Sequence, residues 1–286
     1  MSGFTNKIDF TVLVTARKAN PNGDPLNGNR PREDYEGHGE ISDVCIKRKL
    51  RNRLQDMGEE IFVQSDERCR DGYKSLSERA KNCEELAAAL KSKDSEAYAK
   101  AACEKWIDVR SFGQVFAFKD NSVSVGVRGP VSIHPGVSIS PVEIMDLQIT
   151  KSTNSEPGKD GKKSSDTMGT KHRVEFGLYR INGSINHQLA EKTGFTDEDA
   201  EKIREAFRTL FENDASSARP DGSMEVCKVY WWRHNCPMGQ YSSAKVHRSL
   251  EVKEKEDLVD SPCSFEDYDV ICHSLDGLEP EVYEGI

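Results

Sequence analysis

Apolar residues alternate from the first strand-like run: Ile8, Phe10, Val12 and Val14 fall on one face, which predicts a strand over 8–17. A polar stretch, NPNGDPLNGNRPR over 20–32, follows; its glycines, prolines and asparagines favour turns and positive φ. Ser42 then offers an N-cap to a helix. The apolar residues Ile46, Leu50, Leu54, Met57 and Ile61 recur at spacings of 4, 4, 3 and 4, which keeps one side buried. Residues 62–105 are rich in helix formers at irregular spacing and read as a helical insertion. Strand patterns return at 111–118, 122–134, 142–150 and 174–181. Between the last two, 152–167 holds no apolar residue except Pro157, so the pair reads as a long hairpin with a polar tip. Thr196 caps a second amphipathic helix with Ala200, Ile203, Ala206, Phe207, Leu210 and Phe211 on its apolar face, and a strand over 226–232 closes the pattern. The order strand, helix, strands, helix, strand predicts an α+β fold with a ferredoxin-like, RRM-type sheet decorated by insertions.

Composition narrows the class. Hydrophobic residues make up 36% of the 286, enough for a core, while 31% charge and a mean hydropathy of −0.69 imply a well-solvated surface. No run approaches the roughly 18 apolar residues of a membrane helix, and no secretory signal is visible, so the expected setting is cytoplasmic, away from membranes. Eight cysteines include no CxxC pair; reduced thiols, with neither a metal nor a cofactor, are the expectation.

The net charge of −9 argues at first against nucleic acid, but its distribution changes the picture. Residues 251–286 carry 12 acidic and 2 basic side chains, leaving 38 basic against 37 acidic in the first 250. A binding face needs only local positive density. The densest cluster is on the Ser42 helix: Lys47, Arg48, Lys49, Arg51 and Arg53, with no acid among them. On a helical wheel Lys47 and Arg51 border the apolar stripe on one side, Lys49 and Arg53 on the other, and Arg48 points away from the core. Such a helix can lie against phosphates, or it can be an ordinary solvated face. Asn20, Asn22 and Arg30 in the polar loop are candidate contacts to phosphate or sugar, beside the plainer reading of a connection. Arg128, in Gly126-Val127-Arg128-Gly129-Pro130, points outward from a tight turn that is equally a simple bend. The hairpin's return arm brings Met168, Lys171, His172 and Arg173 together, an apolar side chain able to wedge between bases beside cations able to hold the backbone. Tyr230, Trp231 and Trp232 can stack on bases or fill the core. Catalytic motifs are missing; Asp24, His38 and Asp43 can in principle supply acid–base groups, though a turn and a helix N-terminus account for them.

Five segments together resemble a known family: NPNGDP from Asn20, SDVCIKRKLR from Ser42, VRSFG from Val109, VRGP from Val127 and MGTKH from Met168. They are similar to the backbone subunit of type I CRISPR Cascade complexes, nearest to subtype I-C, from the first strand to about residue 250. The resemblance implies a non-catalytic subunit that polymerises head to tail along a guide crRNA, assembles with other Cascade subunits and meets target DNA through the guide. It implies an RRM-type palm (1–61, 106–136 and 182–250), a helical insertion (62–105), a thumb-like hairpin (137–181) and an acidic C-terminal segment (251–286). Carried over, the family's basic helix positions are Lys47, Arg48 and Arg51, with Lys49 an extra cation, and the thumb region is 168–173, with Met168 as the wedge. The alternative is an RRM-like endoribonuclease that processes repeat RNA.

Overall fold

The alternating run at the start becomes β1 (Ile8–Ala19), the axis of a large antiparallel sheet. The computed structural model describes residues 3–118, 124–150 and 168–286. After β1 come the short pair β2 (Gly23–Asp24) and β3 (Arg30–Pro31), then β4 (His38–Ile41) and helix α1 (Asp43–Asp56). Helices α2 (Leu76–Lys81), α3 (Glu84–Ser92), α4 (Ser95–Lys105) and α5 (Ile107–Phe112) form the insertion and its exit. Next are β5 (Gln114–Phe116), β6 (Val125–Val127), β7 (Val131–Ile133) and β8 (Gly136–Pro141), then the hairpin of β9 (Ile144–Thr150) and β10 (Met168–Ile185). The chain closes with α6 (His187–Thr193), α7 (Asp197–Arg208), β11 (Met224–Arg233), α8 (Ser243–Ser249), β12 (Leu250–Glu254), β13 (Tyr268–Cys272) and β14 (Glu281–Glu284). The sheet runs β14-β11-β1-β10-β8-β4, and β7 and β9 also pair with β10.

Residues Ile8 to Ala16 of β1 are all buried because the sheet is covered on both faces. Ile8, Phe10, Val12 and Val14 pack under Ile46, Leu50 and Leu54 of α1 and Ile203 and Phe207 of α7. Each such side chain, fully buried, contributes on the order of 1.5–3 kcal/mol. On the other face Leu13, Leu178, Tyr230 and Trp232 lie beneath Val246, Leu250, Tyr268 and Leu278. The acidic C-terminal segment therefore covers this chain's own sheet. The insertion has a separate core around Phe62, Tyr98, Trp106 and Phe116, with the Phe62 and Trp106 rings 4.7 Å apart.

Two expected strands come out differently. Within 111–118 the chain remains helical in α5 through Phe112 and only then forms β5. The helix is retained because it places Asp108 inward, where the carboxylate accepts Phe62 N at 2.8 Å, Val63 N at 3.1 Å and Arg51 Nε at 2.9 Å. Of the expected strand at 122–134, residues 119–123 lie outside the described residues, and the rest is broken at Gly129-Pro130 into β6 and β7. A Cβ on Gly129 would stand 2.2 Å from Ser111 O, so the turn and the 111–113 backbone meet at a distance only glycine allows. Proline then withholds a ladder N–H. The hairpin is present, with Ile144 opposite Val174 and Thr150 opposite Met168. Its polar tip at 152–167 lies outside the described residues.

Asp108 is fully buried and joins α1, the start of the insertion and α5. Replacing it with alanine leaves Arg51 and two amides without their acceptor, and is expected to cost about 3–5 kcal/mol. The measurement is urea denaturation; a loss under about 1 kcal/mol, the range of ordinary surface substitutions, would show that the carboxylate does not hold the insertion in place.

Candidate nucleic-acid interface

The basic helix is built as its sequence suggests and used differently. Ser42 Oγ caps α1 by accepting Cys45 N at 3.3 Å. Asn22 Oδ1 in turn accepts Ser42 N at 2.9 Å and Ser42 Oγ at 2.7 Å, so the polar loop is tied to the helix start. Lys49, expected at the solvent margin, is 4% exposed and paired with Asp214, and burial lowers its pKa. Lys47 meets Asp43 at 3.1 Å, Arg51 meets Asp108, and Arg53 meets Glu212 and Thr209 Oγ1. Arg48, expected to point away from the core, is half-buried and donates to Val63 O. Of the five it alone has no carboxylate partner among the described residues. Its Nε is buried without an acceptor, and burial with neighbouring Arg51 pushes its pKa down to about 10. A half-buried cation with unmet donors is the state an incoming anion relieves.

The loop and the hairpin arm, far apart in sequence, meet at Asp146 on β9. Its carboxylate takes Arg30 from the loop and His172 Nδ1 from β10, the latter at 2.7 Å. The hydrogen bond from His172, with Arg30 beside it, holds the Asp146 carboxyl below the usual range. Between loop and arm lies a cleft of about 330 Å³ lined by Asn20, Gly28, Ile149, Thr170, Lys171 and Ser217, among others, with no acidic side chain. Asn20 is 3% exposed: its Nδ2 donates to Asn29 O at 2.7 Å, and its Oδ1 has no partner. Lys171 has no protein partner among the described residues, whereas Arg173 is held by Glu175 at 2.9 Å. A larger hollow of about 550 Å³ is lined by Glu59, Glu60, Asp71, Glu84 and Glu85 and by Arg70, Arg79 and Lys105; Arg79 and Lys105 are already paired with Asp71 and Glu85, which leaves an acidic excess, the wrong sign for phosphate.

The structure thus brings Asn20, Arg30, Lys171 and His172 to one junction and keeps Asn22 as a structural tie. Arg128 is exposed on the β6–β7 turn, without a protein partner among the described residues, and does not line the cleft. Met168 begins β10 with 65% of its surface exposed. Tyr230, Trp231 and Trp232 are all buried, so of their two readings the structure takes core packing; Trp231 stacks on Phe10 at 5.3 Å. The acid–base trio is dispersed into local tasks: Asp24 caps a short turn through Leu26 N, His38 Nδ1 faces Ser138 O at 2.9 Å, and Asp43 holds Lys47. The sequence reading missed Arg17 and Lys18, exposed and unpaired among the described residues at the end of β1. Two consecutive cations just before the asparagine loop were the available signal. Thr170 was missed although it sits beside Lys171 in the MGTKH segment, whereas Ser217 carried no signal, since only folding brings it to the cleft.

No helix among the described residues is long and apolar enough to cross a membrane, and no His, Cys, Asp and Glu cluster there could hold a metal ion. A model of the family CRISPR-associated protein Cas7 matches residues 6–273. The CRISPR-associated protein Cas7 of Haloferax volcanii is 26% identical over 228 residues, which span 74% of this chain and 66% of that protein, just under two thirds of its length. A chain from a solved CRISPR RNA-guided surveillance complex, pre-nicking, is 15% identical with a TM-score of 0.48, over 82% of this chain and 80% of that one. A chain from another CRISPR RNA-guided surveillance complex is 16% identical with a TM-score of 0.46, over 82% and 72%.

The Asp146 tie has a definite pH sign. Its folded pKa is depressed, so its contribution is complete above the unfolded value of 3.8 and is lost as pH falls through the lower folded value. Asp146→Asn removes the charge at every pH. Amide exchange across residues 24–31 is expected to speed up in that variant at neutral pH, and unchanged exchange would show that the loop is held by other contacts.

Proposed function

The chain belongs to the CRISPR-associated protein Cas7 family, and we propose that it is a non-catalytic, crRNA-binding backbone subunit of a type I surveillance complex, nearest to subtype I-C. The observation that carries this reading is the convergence of loop 20–32 and the β9–β10 arm on Asp146, beside a cleft with an unpaired lysine and no acid. In this reading the arm is the thumb, with Met168 at its described end as the wedge. The β11-β1-β10-β8 order with α1 and α7 packed on one face supports a ferredoxin-like, RRM-type palm.

Function follows from the chemistry of such a surface. A guide RNA varies in sequence, so its carrier must hold phosphate, sugar and shape while base pairing reads the target. Arg48, Lys171 and Arg128 supply cations without a carboxylate partner among the described residues; Lys47, Arg51 and Arg173 shape the surface around them through their own acids. Successive copies stack head to tail along the crRNA in the cytoplasm, other Cascade subunits complete the assembly, and target DNA pairs with the exposed guide. Arg48 is the helix cation with most to gain from a phosphate, because its guanidinium is already desolvated and only partly bonded.

The triple variant Arg48→Ala, Lys171→Ala, Arg128→Ala spares every carboxylate ion pair named above. It is expected to copurify with little nucleic acid, and its RNA-binding salt slope is expected to fall by about 2, at roughly 0.7 for each phosphate left without its cation. Wild-type-like RNA content and salt slope would overturn the interface. Cleavage of repeat RNA by the purified protein, abolished in His38→Ala, would overturn the non-catalytic reading.

A further inference from the structure

The cleft between loop 20–32 and the hairpin arm has a composition that phosphate binding alone does not explain. One wall is apolar, Ile149. Lys171 is the cation that lines it, and its ammonium has no protein partner among the described residues. The remaining chemistry is neutral: the hydroxyls of Thr170 and Ser217, both on exposed residues and neither hydrogen-bonded within the described protein, and the amide of Asn20 on the floor. The Asn20 Oδ1 is a buried acceptor with no donor. The His172 ring is oriented by its Nδ1 contact to Asp146, leaving Nε2 on the Gly28 side, 4.0 Å from where a Cβ on that glycine would stand. Gly28 has φ of 58°, so this wall favours glycine for its backbone conformation.

A site for bare phosphate would collect cations or backbone amides. This one sets a single cation beside short hydroxyl and amide groups, which suits a unit that is anionic at one end and rich in hydroxyls at the other. We propose, resting on the RNA-binding reading above, that the cleft takes one ribose-phosphate unit, with Lys171 against the phosphate and the Thr170 and Ser217 hydroxyls against the ribose 2′-hydroxyl. The 2′-hydroxyl both donates and accepts, and is the group that separates RNA from DNA at a given position. The cleft is thus the specificity element that keeps single-stranded DNA off a sequence-independent surface. Phosphate contacts elsewhere, at Arg48 and Arg128, make no such distinction.

The test is equilibrium binding of the full chain to one 30-nucleotide sequence made as RNA and as DNA, across a salt series. Wild type is expected to prefer RNA. In Thr170→Val with Ser217→Ala, both exposed positions where the substitutions keep the fold, the RNA-to-DNA affinity ratio is expected to fall by roughly tenfold, the worth of one or two hydrogen bonds, with DNA affinity unchanged. Lys171→Ala is expected to weaken both ligands alike, leaving the ratio intact and lowering the salt slope by about 0.7. A ratio unchanged in the double variant, or wild-type binding of RNA and DNA with equal affinity, overturns the proposal while the RNA-binding function stands. Failure of wild type to bind either ligand overturns the function and this proposal with it.

Discussion

A single carboxylate carries much of the architecture. Asp108 is fully buried between helix α1, the segment at Phe62 and Val63, and its own helix α5. A charge in that position is tolerated only because two backbone amides and a guanidinium satisfy it. The same arrangement fixes Arg51 over the Phe112 ring at 5.2 Å, and two residues on from Asp108, Arg110 reaches Asp199 at 3.0 and 2.8 Å. Asp199 is itself part of the capping box that starts α7. Helices α1 and α7 and the chain entering at Phe62 and Val63 are therefore coupled through one short helical turn, and the close approach of Gly129 to residues 111–113 seats the Arg128 turn on the same base.

Electrostatics on α1 follow from that packing. A helix with five cations looks like a phosphate track, yet four of them are consumed by Asp43, Asp214, Asp108 and Glu212. What remains for a ligand is selected by what the fold leaves unpaired. Arg48 keeps unmet donors, Lys171 and Arg128 stand free among the described residues, and the rest of the positive charge organises the scaffold. Loop 20–32 follows the same logic, since Asn22 holds the N-cap of α1 while Arg30 holds the hairpin arm through Asp146.

The sheet's second face shows why aromatic content alone misleads. Tyr230 and Trp232 lie 6.0 Å apart in near-parallel stacking, a geometry suited to nucleobases, but α8 and β12–β13 cover them. The acidic C-terminal segment thus has an internal use: it helps close the sheet, with Tyr268 and Leu278 turned inward.

Local pattern determined a good deal by itself. The alternation at 8–14, the Ser42 and Thr196 caps and the 3.6-residue stripes named the central strand and helices α1 and α7, because those signals act between neighbours in the chain. The hairpin was legible from two strand-like runs around a polar tip. The combined motifs identified the family, although VRSFG gave no hint that its arginine exists to hold Asp199. Only the tertiary structure decided which cations are free, since Asp214, Asp108 and Val63 approach α1 from 165, 57 and 15 residues away. It alone kept Ser111 and Phe112 helical where a strand was expected from 111 onward, through the buried Asp108. It also joined Thr170 and Lys171 of the arm to Asn20 and Ser217 in one cleft, a grouping that no spacing along the chain encodes because these three segments meet only when β10 lies against β1 and the loop folds back onto both.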